Sequence, residues 1–322
     1  MEEFERGLWS AMHCGSWREV SQTLRDWYSL SCLILGRKSV DLQWADRGLI
    51  FGGPLSKCHA ELRRMIDTFP KPLSTLSDDF FKSSLMPSPS ITNQIPESAP
   101  TLDSFVLNHL NPGHPVVMRG LVEHWAAVDQ WRNKSFWLNN FKNRWIPVEK
   151  GIYSTGDFSQ ELVSISSFIE SREDLFLAQY DIFREFPELD DSISPLPDFC
   201  FLNEIGQVTK NLFFGPAGKF SPLHTDPTDN LMCVVFGKKY VKLFQPCETP
   251  FLYPSKETTL LNSSTLPPDL TQPVSDSEFP EYKKALSFDT VLEAGDALFI
   301  PKGWWHFVKS LDISANVALF FE

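Results

Sequence analysis

Two histidines and an aspartate constrain this chain more than any other feature: His224-x-Asp226, then His306 eighty positions further on. Two imidazoles and one carboxylate gathered on one face of a metal ion leave its opposite face open, which is the ligand set of non-haem Fe(II) oxygenases. To gather, the two stretches must return to the same place in the fold. Their flanks say how. Gly218-x5-His224-x-Asp226-x3-Asn230-x6-Gly237 reads as two strands joined by a tight turn, and Gly295-x5-Pro301-x-Gly303-x2-His306 as a second hairpin. In the second, Gly295-Asp296 opens a turn, Ala297–Ile300 is a short apolar strand, Pro301 stops it, and Gly303-Trp304-Trp305-His306 turns back into another strand. A bare His-x-Asp recurs by chance, and a lone His is more often a satisfied core residue. Core packing alone, however, does not require a Gly, a Pro and a His at those offsets.

The rest of the chain reads as a helical start, a linker and a mainly β domain. Residues 1–70 form the helical N-terminal region. Ser16 with Glu19 has the form of a capping box. Trp17, Val20, Leu24 and Trp27 then share one helical face, and Leu62, Met65, Ile66 and Phe69 form a second stripe stopped by Pro70. Gly52-Gly53-Pro54 breaks the helical pattern between them, so a separately packed helical unit is expected. Residues 71–100, rich in Pro, Ser and Thr, read as a linker that is mobile around Ser83–Gln94, with Phe80-Phe81 docking on the β domain. From 101 to 322 a helix over Leu102–Leu110 and another over Trp131–Phe141 precede many short strands. Strands are expected at Pro115–Arg119, Ile146–Glu149, Phe176–Tyr180, Phe199–Leu202, Lys210–Phe214, Leu231–Phe236, Lys239–Gln245, Ala297–Ile300 and Ser314–Phe321. Short strands at such spacing predict a double-sheet jelly roll. Residues 255–290 read as a polar insertion, loop plus one short helix around Pro280–Ala285.

Composition limits the classes of function. The 322 residues are 42% hydrophobic, ample for a core, and long enough for two domains. A net charge of −12 argues against direct nucleic-acid binding, which needs basic surface, and is compatible with a basic protein or peptide partner. The six cysteines are scattered with no C-x-x-C pair, so neither a disulfide framework nor a zinc cluster is expected. The opening MEEFERGLW lacks an apolar core, and the chain has no apolar run of membrane-spanning length. An intracellular setting, nucleus or cytoplasm, is the expectation.

Three polar residues accompany the ligand pair. Lys239 shares a strand face with Val241 and Leu243, where a buried ammonium needs an anion such as a dicarboxylate. Tyr240 and Phe244 on the other face are apolar too, so parity leaves open whether Lys239 points inward or snorkels out. Asn230 lies on the face of His224 and Asp226 and is placed to donate to a metal-bound carboxylate. Ser221 either does the same or simply belongs to a turn with Pro222.

These residues resemble a known family. Both hairpins have the spacing of the two cupin metal motifs, with Asp226 and Asn230 where a second His and a Glu are usual. Asn211-Leu-Phe-Phe-Gly-Pro, Phe220-Ser-Pro-Leu-His-Thr-Asp-Pro, Gly237-Lys-Lys-Tyr, Phe176-Leu-Ala-Gln and Glu293-Ala-Gly-Asp-Ala-Leu-Phe-Ile-Pro are similar to the JmjC-domain Fe(II)/2-oxoglutarate oxygenases. Within these, the likeness is to the small hydroxylase branch, which includes an arginyl hydroxylase once described as a lysine demethylase. It covers 101–322 strongly and 46–66 more weakly. It implies a double-stranded β-helix with Fe(II) held by His224, Asp226 and His306, and 2-oxoglutarate and O2 as cosubstrates. It further implies that Lys239 pairs with the distal carboxylate of 2-oxoglutarate, helped by Tyr153, Ser221 and Asn230, and that Gln179 faces the substrate. The chain departs from the pattern at Phe213, where an indole is expected, at Asn316, which replaces a Ser, and at Phe320-Phe321, which replaces Trp-Trp. These changes bear on substrate identity more than on cofactor use.

The resemblance implies a protein side-chain hydroxylase, with arginine as the leading target. A histone lysine demethylase is the alternative within the family, although no chromatin-reading module is legible. A tRNA-base hydroxylase fits poorly with the acidic charge. A non-catalytic cupin-like binding module would be favoured by a missing ligand, and all three are present.

Overall fold

The computed structural model describes residues 7, 20–70, 81, 85–151, 158–171, 174–201, 207–257 and 261–322. The capping box at Ser16 and Glu19, with Trp17, lies outside the described residues. The chain forms two compact units, one from residues 1–80 and 133–177, the other from 81–132 and 178–322. The five described cysteines are free thiols.

In the first unit, helices α1 (Gln22–Ser39), α2 (Leu42–Gly52) and α3 (His59–Thr68) pack on one another. Ser21 and Asp41 cap α1 and α2 by accepting from the backbone N–H groups of Thr23 and Gln43. Close approach is what Gly52 permits. A Cβ there would collide with Ser29 Oγ, whose hydroxyl donates to the Gly48 carbonyl. Leu33, Leu42, Ala45, Leu49 and Leu62 form the small core, with Met65, Ile66 and Phe69 against it, so the second predicted stripe packs as read. The first does not. Leu24 and Trp27 are 50% and 63% exposed, and the buried face of α1 is Tyr28, Ser29, Cys32, Leu33 and Gly36. The apolar residues of α1 cover most of its circumference, so periodicity alone chose the wrong side.

These helices share their unit with strands β2 (Trp145–Lys150) and β3 (Ser159–Ser164), which pair antiparallel, and with the start of β4 (Leu175–Tyr180), within which the division between the units falls. β3 escapes sequence reading because SQELVS carries only two apolar residues. A buried ion pair joins helix to strand. Asp46, fully buried on α2, accepts from Arg144 Nε at 2.8 Å and from the Trp145 backbone N–H at 2.8 Å. Burial pushes the Asp46 carboxyl upward, against the pull of Arg144.

The second unit contains two facing sheets. One has the order β6 (Phe220–Thr225), β11 (Trp305–Ser310), β8 (Lys239–Phe244), β9 (Ser287–Leu292). The other contains β1 (Val116–Met118), β10 (Ala297–Ile300), β7 (Asp229–Phe236), β12 (Ser314–Phe321) and β5 (Thr209–Gly215) as consecutive neighbours. Met232, Val234, Leu298 and Ile300 meet Val241, Leu243 and Leu292 between the sheets, each contributing on the order of 1.5–3 kcal/mol by burial. The fold is the cupin-like jelly roll expected. Two expectations inside it fail. Phe199–Cys200 lie in a 3-10 turn (Asp198–Cys200) rather than a strand, and Ser287–Thr290 belong to β9 rather than to the insertion.

The expected mobile linker is, from residue 85 on, a bound strap. The Met86 N–H donates to the Leu311 carbonyl, Asn93 Nδ2 to Ser287 O, and the Ile95 N–H to Asp289 O. Ile95 is fully buried in the core between the sheets, and Glu97 bridges to Val117 on β1. The strap thus covers the backbone of the edge strands β9 and β1, whose unpaired groups would otherwise face water. Composition signalled a linker, but Pro and Ser also suit extended chain laid along an edge. Phe81 packs against Phe214 and Phe236, as expected for a docking aromatic.

Removing the Asp46 carboxylate leaves Arg144 charged and buried, which typically costs about 3–5 kcal/mol. Asp46→Ala is therefore expected to lower the urea midpoint sharply, whereas the pair Asp46→Leu with Arg144→Met recovers much of the loss. Deleting residues 1–70 removes the same partner and should give an unstable chain. A soluble, cooperatively folding 71–322 fragment would show that the helical region is dispensable.

Candidate metal centre

β6 and β11 pair antiparallel with His224 opposite His306, so both imidazoles leave the same face of the sheet. The ladder shifts register between His306 and Val308, a bulge of the kind that re-aims side chains beside functional sites. Asp226 follows β6 directly. The candidate ligand atoms of the three residues lie within 4.8 Å of one another. His306 Nε2 is 3.4 Å and His224 Nε2 3.9 Å from Asp226 carboxylate oxygens, and the two rings are 4.1 Å apart.

Backbone carbonyls set which ring nitrogen is free. His224 Nδ1 is 2.7 Å from the Pro222 carbonyl and His306 Nδ1 3.1 Å from the Trp304 carbonyl. A carbonyl only accepts, so each Nδ1 carries the hydrogen and each Nε2 keeps its lone pair towards Asp226. Burial and the neighbouring His306 lower the His224 imidazole to about 4, so it is neutral at pH 7. Burial by itself would raise the Asp226 carboxyl, but the adjacent His306 and His224 imidazoles and a hydrogen bond from Asn230 hold it below the usual carboxylate range. Two imidazole nitrogens and one carboxylate converging on one point make a donor set that fits Fe(II).

The turns after β6 and β10, each crossing from one sheet to the other, lock the motifs together. The Gly303 N–H donates to the Asp226 carbonyl at 2.9 Å, and the Lys302 N–H to Asp229 Oδ1 at 2.9 Å. The insertion takes part as well. The Thr225 N–H donates to the Asn262 carbonyl at 2.8 Å and the Ser264 N–H to the Leu223 carbonyl at 2.9 Å, so residues 262–264 lie along the outer edge of the His224 strand. Lys309, 5% exposed, anchors the insertion through Asp269 Oδ2 at 2.7 Å and Thr271 Oγ1 at 2.8 Å. Sequence reading saw the insertion only as a polar loop, because its role rests on backbone pairing.

Register resolves the direction of Lys239. It pairs with Ser310 as Val241 pairs with Val308 and Leu243 with His306. Residues directly opposite share a face, so Lys239 and His306 both point between the sheets. Lys239 is 2% exposed and donates from Nζ to Ser310 Oγ at 2.9 Å. Burial lowers its ammonium to about 7, partly offset by the charge of Asp312. Ser310 was not singled out in the sequence, although it lies four residues after His306 and thus on the same strand face.

Asn230 is buried on β7, donates to Asp226, and leaves its Oδ1 without a partner among the described residues. Ser221 lies in β6 opposite Val308, a strand position rather than a turn. Gln179 is exposed on β4 with φ +50°, a left-handed conformation that non-glycine residues hold at some cost in strain. Tyr153 lies outside the described residues. Phe213 and Phe320 are half-buried on the inner face.

Comparison with known proteins shows the family. The family model described as a cupin-like domain matches residues 102–322. Lysine-specific demethylase JMJ30 of Arabidopsis thaliana is 32% identical, covering 98% of this chain and 83% of the relative. Lysine-specific demethylase 8 of Danio rerio is 31% identical, over 98% and 85%. Jumonji C domain-containing protein 5 of Drosophila melanogaster is 29% identical, over 98% and 84%. Among the described residues no helix is long and apolar enough to cross a membrane.

His224→Ala, Asp226→Ala and His306→Ala should each lose Mn(II) binding in calorimetry while the far-ultraviolet circular dichroism stays that of the parent chain. Retained stoichiometric binding in any of the three would remove that residue from the ligand set. The converging His224, Asp226 and His306, the paired sheets that carry them and the matched relatives place this chain in the cupin-like family, as a JmjC-domain protein.

Proposed function

We propose that this chain is an Fe(II)- and 2-oxoglutarate-dependent dioxygenase that hydroxylates a side chain of a protein substrate, with arginine as the target. The observation that carries it is the pairing of an open His2Asp set with a buried lysine on the same inner face. His224, Asp226 and His306 would hold Fe(II). When bound there, the iron with 2-oxoglutarate and O2 supplies the oxidation of a substrate C–H bond.

The chain's own residues do the positioning. The Pro222 and Trp304 carbonyls hold both Nδ1 atoms, so both Nε2 atoms would be free to bind Fe(II). Asn230 steadies the Asp226 carboxylate. Lys239, with Ser221 and Tyr153, would bind the distal carboxylate of the cosubstrate, a charge-assisted contact. Phe213 and Phe320 supply apolar wall that limits water at the reacting centre. Gln179, exposed and in a strained backbone conformation, would present its amide oxygen to a guanidinium. The net charge of −12 supports a basic peptide as partner, in the nucleus or cytoplasm.

A second reading, removal of a methyl group from lysine, is favoured by the names of two of the relatives, both lysine-specific demethylases. Matched arginine and methyl-lysine peptides incubated with the chain, Fe(II) and 2-oxoglutarate separate the two. A gain of one oxygen on arginine is expected. Formaldehyde release from methyl-lysine with arginine untouched would replace the first reading by the second.

Lys239 gives the reaction a pH signature. With the ammonium near 7 in the empty site, a dicarboxylate binds a charged lysine below that pH and must draw a proton above it. Affinity for 2-oxoglutarate should be flat below pH 7 and fall by up to about tenfold per unit above it, with proton uptake measurable in buffers of different ionisation enthalpy. Lys239→Ala should abolish the proton uptake and weaken binding at least about tenfold.

A further inference from the structure

The closed end of the barrel holds a polar side chain with no role in the proposed chemistry. β7 passes into β8 through Gly237 and Lys238, and β11 passes into β12 through residues 311–313, each crossing from one sheet to the other. The two crossings are tied together: the Lys238 N–H donates to Asp312 Oδ1 at 2.6 Å, and the Leu311 N–H to the Lys238 carbonyl at 2.9 Å. A side chain at Gly237, where φ is +76°, would run into the Ile313 carbonyl, so the crossings sit back to back. Lys239 and Ser310 begin and end the strands on one side of this closure. Asn316 stands on the other, two residues into β12.

Register puts Asn316 on the inner face. It pairs with Val234 on β7 and Phe213 on β5, as Ala318 pairs with Met232. Val234 and Met232 belong to the core between the sheets, so Asn316 points to the same interior as Lys239. It is 4% exposed. The Ser314 hydroxyl at the same end is buried without a partner among the described residues. Buried carboxamides and hydroxyls in native proteins are almost always paired, since leaving one unpaired costs as much as losing a hydrogen bond. A hydroxyl without a partner and an inward carboxamide, at the end where Lys239 also points inward, suit an anion with several lone pairs.

We propose that Asn316 donates its side-chain N–H to the distal carboxylate of the 2-oxo dicarboxylate cosubstrate, beside Lys239. The inference rests on the oxygenase reading. It assigns this end of the barrel a binding residue on the five-stranded side, the sheet opposite the lysine's. Because a carboxamide is uncharged, its contribution persists above pH 7, where that of Lys239 falls away.

The test compares two 2-oxo acids of equal chain length on the full chain loaded with Mn(II), by calorimetric titration. 2-Oxoglutarate carries the distal carboxylate and 2-oxovalerate does not. Asn316→Ala is expected to weaken 2-oxoglutarate about tenfold and leave 2-oxovalerate unchanged. Asn316→Asp should weaken 2-oxoglutarate further by placing a like charge against it. Asn316→Ser, which keeps a donor in a smaller side chain, covers the case in which the alanine variant does not fold, and should show a smaller selective loss. Equal losses for both acids, or no loss for either, overturn the role of Asn316. Absence of any 2-oxoglutarate binding to the metal-loaded parent chain overturns the oxygenase reading and this inference with it, whereas binding by the parent that the variants leave unaltered overturns the inference alone.

Discussion

The pairing of β6 with β11 carries the site. It sets His224 opposite His306, and both imidazoles leave one face of the sheet because residues directly opposite on antiparallel strands share a face. A slip of one residue would send His224 to the outer face, where Phe220 and Leu223 pack with Phe307 and Trp305. Register is held from both sides of β6–β11. On one side β8 pairs with β11 along its whole length. On the other, residues 262–264 of the insertion bond to the free edge of β6. The backbone ladder therefore supports the ligand geometry before any metal is considered, and the carbonyls of Pro222 and Trp304 finish the work by choosing the ring nitrogen that faces Asp226.

The same logic of closed edges explains segments that look disposable. The strap from Met86 to Ser98 lies along β9 and β1, with Ile95 inserted into the core. Arg119 adds to the seal, donating to the Val291 carbonyl at 2.9 Å and pairing with Glu97 and Asp296. Covering these edges keeps the two sheets from pairing with other chains.

Much of this was legible. The His–Asp–His trio, the strand face shared by Lys239 and Val241, and the strands at Ala297–Ile300 and Ser314–Phe321 follow from turn residues and period-two patterning, which are local. The two expected hairpins are not hairpins: β6 and β7, like β10 and β11, lie in opposite sheets, because a turn signal marks where the chain reverses and not which strand it pairs with. Where those signals are weak the reading fails for a physical reason. Leu24 and Trp27 fall on an exposed face because helix α1 is apolar nearly all round, so its pattern names no inner side. Phe199 and Cys200 are apolar and buried, yet a 3-10 turn buries them as well as a strand would.

The sequence by itself determined which residue types are available to hold a metal, that short strands would dominate, and that Gly, Pro and His recur where turns must bring them back. Those are properties of single residues and their near neighbours. Only the tertiary structure decided that Lys239 and Asn316 both point between the sheets, that the Pro-rich stretch is a strap, and that Asp46 balances Arg144. Each of these depends on a partner dozens of positions or more away in the chain. A strand with apolar residues on both faces, or a linker rich in Pro and Ser, carries no local mark of what it will meet.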